Sequence, residues 1–139
     1  KAEEEKKQQE SSKNETVQQA PTNATADEAY LLACICRAEG IDYEGMLAVA
    51  NCVLNRVKSS RFPNTISEVI YQKNQFATGT RFQGFLANGP GNTAIRAAND
   101  ALAGKNNLGD YLFFRTVASA KYDQYSSYVN ISGNCFYAK

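Results

Sequence analysis

Few side chains in this chain can carry out acid–base or nucleophilic chemistry, because its 139 residues contain no histidine. That absence excludes a Ser-His-Asp or Cys-His nucleophile, an HExxH zinc site and any acid or base built on imidazole. Carboxylates, tyrosine, lysine, cysteine and hydroxyl groups remain. Glu39 is the best placed of them, because it lies in a short acidic turn between the apolar stretches LLACICRA and MLAVANCVLNRV. Its position suggests the role of a general acid.

A helix is predicted to carry Glu39 on its last turn. Thr25, followed three residues later by Glu28, forms a capping box and predicts a helix that begins near Asp27. Gly40 predicts the end of that helix in a left-handed cap. A carboxylate at this end faces the negative pole of the helix dipole, and an apolar cleft would remove water from it. Both effects predict a raised pKa for Glu39 and a protonated acid near neutral pH.

A second helix is predicted directly after the acidic turn. Asp42 is suited to be its N-cap, and Glu44 is a favourable charge for its first turn. Apolar residues keep helical spacing along one face until about Lys58: Met46, Ala50, Val53, Leu54 and Val57. Two packed helices would then present Glu39 at their junction.

A short third helix is predicted between the capping pair Thr65 and Glu68 and about Gln72. The segment 73–91 that follows mixes glycines, polar residues and aromatic residues. Two interpretations fit it: a loop packed by its own aromatic side chains, or one wall of a sugar-binding cleft, since aromatic rings and amides suit sugar rings.

The last third of the chain predicts one more helix and a small sheet. Asn92 and Thr93 can cap a helix with a face of small residues, which Gly104 would end. Residues 111–114 read as a strand and residues 128–137 as a hairpin. The predicted fold is therefore a mostly helical α+β domain with a small antiparallel β-sheet late in the chain.

Several motifs follow one another along the chain: LLA and AEG, YEGMLAVANCVLNRV, FPNTISEVIYQ, NQF, YLFF and CFYAK. In this order, and in register over residues 27–139, they resemble the spore-cortex-lytic and cell-wall hydrolase family of Gram-positive bacteria. The resemblance implies a lysozyme-like catalytic domain similar to the lytic transglycosylases, over residues 26–139.

The resemblance also implies a reaction: cleavage of the N-acetylmuramic acid to N-acetylglucosamine β-1,4 bond of peptidoglycan by a single glutamate, here Glu39. One carboxyl group that acts first as acid and then as base favours a 1,6-anhydromuramyl product over simple hydrolysis. The expected partner is the peptidoglycan glycan strand, bound by a monomer without a metal or cofactor. We predict six cleft-lining residues: Tyr43, Gln75, Phe76, Tyr111, Phe113 and Tyr137.

Two positions depart from the family pattern. Only residues 40–42 separate Glu39 from Tyr43, whereas the family usually has a longer turn there. A count along the helix places Glu39 at the catalytic position, and a gapless count back from Tyr43 would place Arg37 there. We favour the first count, because turns tolerate deletions better than helix interiors do. The second departure is Asn134, where the family commonly has histidine.

Three alternatives to this assignment follow from the same residues. Glu39 could be a structural carboxylate held by Arg37 or Arg115. With a displaced acid, the domain could be a catalytically silent glycan-binding module. With a second carboxylate, namely Asp42, Glu44 or a distant one such as Asp110, it could be a muramidase-type hydrolase that activates water.

Charge and composition narrow the partners further. The 15 basic and 14 acidic residues nearly balance, so no strong field for nucleic acid or anionic membrane is expected. Arg56, Lys58 and Arg61 cluster at the end of the second helix, where we expect a solvated face that complements the dipole. No apolar run of membrane-spanning length and no signal-peptide pattern occurs, and we expect an extracellular protein of the cell wall or spore.

Residues 1–25 differ in composition from the rest of the chain. They are rich in Glu and Lys and contain no Tyr, Phe or Cys. This composition predicts a disordered or loosely helical linker. All four cysteines lie in the domain, and Cys34 and Cys36 are about 200° apart around a helix, which makes a poor metal site. We expect the cysteines to be small apolar residues of the core. A disulfide between Cys52 and either Cys34 or Cys36 remains an alternative.

Overall fold

The computed structural model describes residues 24–139 of the chain. The linker predicted for residues 1–25 therefore lies almost wholly outside the described residues. The first described residue, Ala24, is buried against the core, and the side chain of Thr25 caps the first helix.

Five α-helices precede a three-stranded sheet in this part of the chain. The helices are α1 Ala26–Glu39, α2 Tyr43–Lys58, α3 Ile66–Ile70, α4 Thr80–Asn88 and α5 Asn92–Leu102. The strands are β1 Phe113–Thr116, β2 Ser127–Ile131 and β3 Asn134–Ala138, all antiparallel, with β3 in the centre of the sheet. The predicted fold class, mostly helical with a small antiparallel sheet late in the chain, is confirmed.

Helix α1 begins as the sequence predicts but ends differently. Both hydrogen bonds of the capping box between Thr25 and Glu28 are present. Gly40, however, has φ −111° and ψ 153°, so the predicted left-handed cap is wrong and the backbone is extended there. A Cβ atom on Gly40 would lie 2.8 Å from the backbone nitrogen of Met46. Glycine is needed here because α1 and α2 approach each other closely across a three-residue turn.

Helix α2 is the central element of the core. Its N-cap is Asp42, as predicted, whose carboxylate accepts a hydrogen bond of 2.9 Å from the Gly45 N–H. Every residue from Gly45 to Arg56 is buried, which is three turns of helix surrounded by other elements. Helices α1 and α5 pack against each other and against α2.

Three local predictions are corrected by the structure. Residues 73–91 are not a continuous loop, because they contain α4, whose N-cap, Gly79, has no side chain to form a cap. Helix α5 is preceded by Gly91 rather than capped by Asn92 or Thr93. The first strand begins at Phe113, two residues later than predicted.

The sheet closes the core with one face. Phe136 in β3 is fully buried and stacks on Phe114 in β1, with ring centroids 5.2 Å apart, and Phe114 in turn contacts Phe76 at 5.8 Å. The opposite face carries Phe113, Tyr137 and Tyr128 in register across the three strands. The inner face thus holds the sheet on the helices, and the outer face is aromatic.

The four cysteines are buried and free, so the disulfide that the sequence left open is not formed and the core role is confirmed. Burial raises the pKa of Cys52 to about 11, which keeps its thiol neutral. Residues 24–139 contain no cluster of three or more Cys, Asp or Glu side chains placed to hold a metal ion. No helix in the same range is long and apolar enough to cross a membrane.

Candidate active site

The Glu39 carboxyl group is half-buried at the C-terminal end of α1. Its Oε2 accepts a hydrogen bond of 2.8 Å from the backbone N–H of Ala77, in the loop before α4. Burial raises the pKa of Glu39, and the Ala77 N–H and the positive charge of Arg81 only partly oppose this. The direction is the one that the sequence predicts, and its main physical cause is the loss of water.

Arg81 holds the end of the helix that carries Glu39. Its NH1 donates to the carbonyl of Ala38 at 2.7 Å and to that of Arg37 at 3.3 Å. These carbonyls belong to the last turn of α1, where a cation is favoured by the helix dipole. The guanidinium thus fixes the helix end and lies close enough to Glu39 to affect its pKa.

The two arginines that the sequence suggested as partners of Glu39 bind elsewhere. Arg37 donates to the carbonyl of Pro90 at 2.8 Å, and Arg115 donates to the carbonyl of Ser119 at 3.1 Å. The expectation of Arg37 or Arg115 beside Glu39 is therefore wrong. Arg81, which lies 42 positions along the chain from Glu39, takes that place, because α4 folds back onto the end of α1.

The hairpin of β2 and β3 supports the backbone of Glu39. The amide of Asn134, which is only 6% exposed, donates a hydrogen bond of 3.1 Å to the Glu39 carbonyl oxygen. The hairpin turn also packs on α2, since a Cβ atom on Gly45 would lie 3.1 Å from that of Ser132. Asn134, noted in the sequence only as a departure from the family, is thus part of the scaffold of the site.

Arg56 is buried, so the prediction of a solvated face is wrong for this residue. It is 3% exposed, its Nε donates to the Leu112 carbonyl at 2.7 Å, and its NH1 donates to Gln75 Oε1 at 3.0 Å. The guanidinium also lies 4.7 to 5.8 Å from three ring centroids, those of Phe62, Phe76 and Phe113. These acceptors and ring faces replace water around the charge.

Arg56 is linked to Glu39 through the loop before α4. It binds Gln75, and two residues later the Ala77 N–H binds Glu39. Phe76 lies between them, is 8% exposed and fills the core beneath the loop. The Gln-Phe pair that the sequence predicted as cleft lining therefore positions the backbone that holds the carboxyl group.

The two other acids of the turn have the structural roles predicted for them. Hydrogen bonds from the Gly45 N–H and from Ser132 lower the pKa of Asp42, which remains ionised as the N-cap of α2. Glu44 accepts a hydrogen bond of 3.2 Å from the Asn107 side chain. Glu39 differs from both in being half-buried, and this burial raises its pKa.

Three of the predicted cleft residues come together on the outer face of the sheet. A cleft of about 460 Å³ is lined by Tyr111, Phe113 and Tyr137, and the rings of Phe113 and Tyr137 stack with centroids 5.6 Å apart. Glu39 is not among the residues that line this cleft. The contact of Arg56 with Phe113, and its bond to Gln75, connect the cleft to the loop that holds Glu39.

The other predicted cleft residues have different surroundings. Gln75 is exposed apart from its bond to Arg56, and Phe76 is buried. The Tyr43 hydroxyl donates to Asp100 in α5, and its ring lies 4.1 Å from the Arg96 guanidinium. Substrate contact by any of the six stays a prediction.

Comparison with known proteins shows which family this chain belongs to. The family model described as Cell Wall Hydrolase matches residues 40–137. The chain belongs to the cell wall hydrolase family. The matched range begins directly after Glu39. The assignment of Glu39 therefore depends on the burial and hydrogen bond of its carboxyl group and on the count along helix α1.

Relatives and solved structures of this family agree with the fold. The spore cortex-lytic enzyme of Bacillus cereus is 39% identical over 77 residues, which are 55% of this chain and 29% of the relative. The match thus spans less than a third of the length of that relative. The crystal structure of the catalytic domain of the Bacillus cereus SleB protein has a TM-score of 0.69 at 27% identity, over 87% of this chain and 96% of that one.

A second solved structure is similar to the same extent. It is the catalytic domain of the germination-specific lytic transglycosylase SleB from Bacillus anthracis, with a TM-score of 0.66 at 26% identity. The match covers 86% of this chain and 99% of that domain. The fold of this chain is thus similar to that of the solved domain over nearly the whole length of that domain.

Proposed function

We propose that this domain cleaves the β-1,4 bond between N-acetylmuramic acid and N-acetylglucosamine in peptidoglycan, as a lytic transglycosylase with Glu39 as its catalytic residue. The observation that carries the proposal is the half-buried Glu39 carboxyl group with a raised pKa, held by the Ala77 N–H. The similarity to the catalytic domain described as a lytic transglycosylase supports the reaction type, and membership of the cell wall hydrolase family supports the substrate.

The reaction needs one group that is first an acid and then a base. Protonated Glu39 gives its proton to the glycosidic oxygen, and the bond from that oxygen to C1 of the muramic acid breaks. The resulting carboxylate then accepts the proton of the C6 hydroxyl. At the same time the oxygen of that hydroxyl bonds to C1, which closes the 1,6-anhydro ring. The Ala77 N–H holds Oε2 throughout and leaves Oε1 for the glycosidic oxygen.

The roles of the neighbouring acids favour transglycosylation over hydrolysis. A classical glycosidase needs a second carboxyl group about 5 Å or about 6.5–9.5 Å from the first. Asp42 and Glu44 each accept a structural hydrogen bond from a neighbouring donor, so we assign neither of them to the activation of water. The C6 hydroxyl belongs to the bound sugar itself, and such intramolecular attack reaches effective molarities of about 10⁵–10⁸ M in well-oriented cases.

The partner we propose is the glycan strand of the cell wall or spore, outside the cytoplasm, bound by a monomer. Two other functions remain as alternatives. The short turn after Glu39 motivates a catalytically silent glycan-binding module, and a distant carboxylate such as Asp110, which lines the aromatic cleft, motivates a muramidase-type hydrolase.

Mass spectrometry of digested peptidoglycan distinguishes the three functions. Purified peptidoglycan is incubated with the protein, and the soluble muropeptides are analysed for their muramic acid ends. We expect 1,6-anhydromuramyl ends, which are lighter by one water than reducing ends. Predominantly reducing ends would identify a hydrolase. Co-sedimentation with peptidoglycan without any released fragment would identify a binding module.

A further inference from the structure

A second pocket adjoins the aromatic cleft, and its lining is strongly cationic. It has a volume of about 250 Å³ and is lined by Arg115, Lys121, Gln124, Tyr125, Tyr137 and Lys139. Three of these six residues carry a positive charge, and none of them is Asp or Glu. Such a surface attracts an anionic group. The planar guanidinium of Arg115 suits a carboxylate in particular, because it can donate two parallel hydrogen bonds.

The walls of this pocket are fixed by several contacts. The ring of Tyr125 stacks on that of Tyr137, with centroids 3.9 Å apart and planes at 11°. The Tyr125 hydroxyl accepts a hydrogen bond of 2.9 Å from the backbone N–H of Lys121, which ties the loop to the ring. NH1 of Arg115 donates to the Ser119 carbonyl, which orients the guanidinium. The pocket therefore exists before a ligand binds, which lowers the entropic cost of binding.

The pocket and the aromatic cleft share two residues, Tyr137 and Lys139. A polymer whose sugar rings occupy the aromatic cleft would therefore carry its side groups toward Arg115 and Lys121. In peptidoglycan the lactyl group of the muramic acid is joined to the peptide stem by an amide, so the negative charges of the polymer are carboxylates of that stem.

We propose that Arg115, Lys121 and Lys139 bind a carboxylate of the peptide stem while the sugar rings occupy the neighbouring cleft. The inference rests on the proposed function and extends it from the glycan bond to the stem. Arg115 and Lys121 act on binding alone, because they line a pocket that does not contain Glu39.

Binding of defined glycan strands tests the proposal without turnover. Fluorescently labelled strands, free of teichoic acid, are prepared in three forms: with intact stems, with stem carboxylates converted to amides, and with stems removed by an amidase and the freed lactyl carboxylates then converted to amides. Their affinities are measured by fluorescence anisotropy with the Glu39→Gln variant, which preserves the carboxyl shape. We expect strands with intact stems to bind about tenfold more tightly than the other two forms, the size expected for charge-assisted hydrogen bonds.

Charge-neutral variants assign the effect to this pocket. Arg115→Gln with Lys121→Gln should abolish the preference for intact stems, and the exposed Lys121→Gln alone should reduce it without a change in melting temperature. Lys58→Gln with Lys73→Gln removes two exposed charges elsewhere and serves as the matched control. Equal affinity for all three strand forms, or an equal loss of preference in the control, would overturn the proposal.

The proposed function can fail independently of this inference. If the wild-type protein releases no fragments from any strand, the lytic activity is wrong, while a preference for carboxylate-bearing strands still establishes the pocket. If fragments are released from all three forms at equal KM and equal affinity, the activity is right and the stem-binding pocket is wrong.

Discussion

The side-chain amide of Asn134 donates a hydrogen bond of 3.1 Å to the backbone carbonyl of Glu39, although 95 positions separate the two residues. The bond joins the first residue of β3 to the last residue of α1. Because this carbonyl is one of the unpaired groups at a helix end, the hairpin supplies the partner that the helix lacks. The sheet therefore contributes to the position of Glu39 through its backbone carbonyl.

Asn134→Ala should destabilise the domain by about 1–3 kcal/mol, because it leaves a carbonyl without its partner at a buried site. Urea unfolding gives the free energy of unfolding. We also expect slower fragment release, since Glu39 loses a backbone constraint. Asn64→Ala, at an exposed position in the turn before α3, is the matched control. Equal stability of the two variants would show that the bond to Glu39 contributes nothing.

Gly40→Ala tests the close approach of α1 and α2. The backbone at residue 40 has φ −111°, which alanine adopts without strain, so the effect isolates the contact with Met46. We expect a loss of about 1–3 kcal/mol in the free energy of unfolding, as for other overpacked sites. Gly84→Ala in α4, where a Cβ meets nothing within 4 Å, should instead gain about 0.4–1 kcal/mol. A harmless Gly40→Ala would contradict the packing described here.

Arg81→Gln should change the pH dependence of cleavage. The charge of Arg81 lowers the pKa of Glu39, so its removal raises that pKa further. Because the first step needs protonated Glu39, the alkaline limb of the rate profile should move to higher pH. Lys58→Gln removes an exposed charge at the end of α2 and should leave the limb unchanged. An alkaline limb that is identical in wild type and Arg81→Gln would mean that another group sets it.

Local signals in the sequence predict much of the frame of the site. The capping pair of Thr25 and Glu28 and the N-cap Asp42 each depend on residues within three positions, and both occur as expected. The position of Glu39 at the end of the first helix follows from them. The hairpin is also found where its alternation of side chains predicts it.

The parts that the sequence did not reveal depend on contacts between distant segments. The sequence predicts a solvated charge at Arg56 because its acceptor on Leu112 and its ring partner Phe113 lie far along the chain. The Ala77 N–H that holds Glu39 is a backbone group, which leaves no trace in residue types. Helix α4 was missed because it has no side-chain cap and contains Gly84 in its interior.

Glu39→Gln should make the folded protein more stable at neutral pH. The raised pKa of Glu39 means that the folded state holds this proton more tightly than the unfolded state, whose carboxyl ionises near the ordinary value of 4.5. The stability of the wild type therefore falls as pH rises from about that value through the raised pKa. Glutamine cannot ionise, so the variant avoids this loss. Melting curves should coincide more closely below pH 4.5, and a pH-independent difference would contradict the burial of a charged carboxylate.

The release of soluble fragments from purified peptidoglycan by Glu39→Gln, compared with wild type and Glu44→Gln, tests the central assignment most directly. Glutamine keeps the shape and the bond to the Ala77 N–H but cannot give up or accept the proton. We expect Glu39→Gln to lose activity by about 10²–10⁴-fold or more, as for a positioned acid and base, while it remains folded and still binds glycan. Glu44→Gln should stay within a few-fold of wild type, since the Glu44 carboxylate is bound by the side chain of Asn107 rather than placed beside Glu39 by a hydrogen bond. Near wild-type release by Glu39→Gln would contradict the account and make Glu44 the candidate acid.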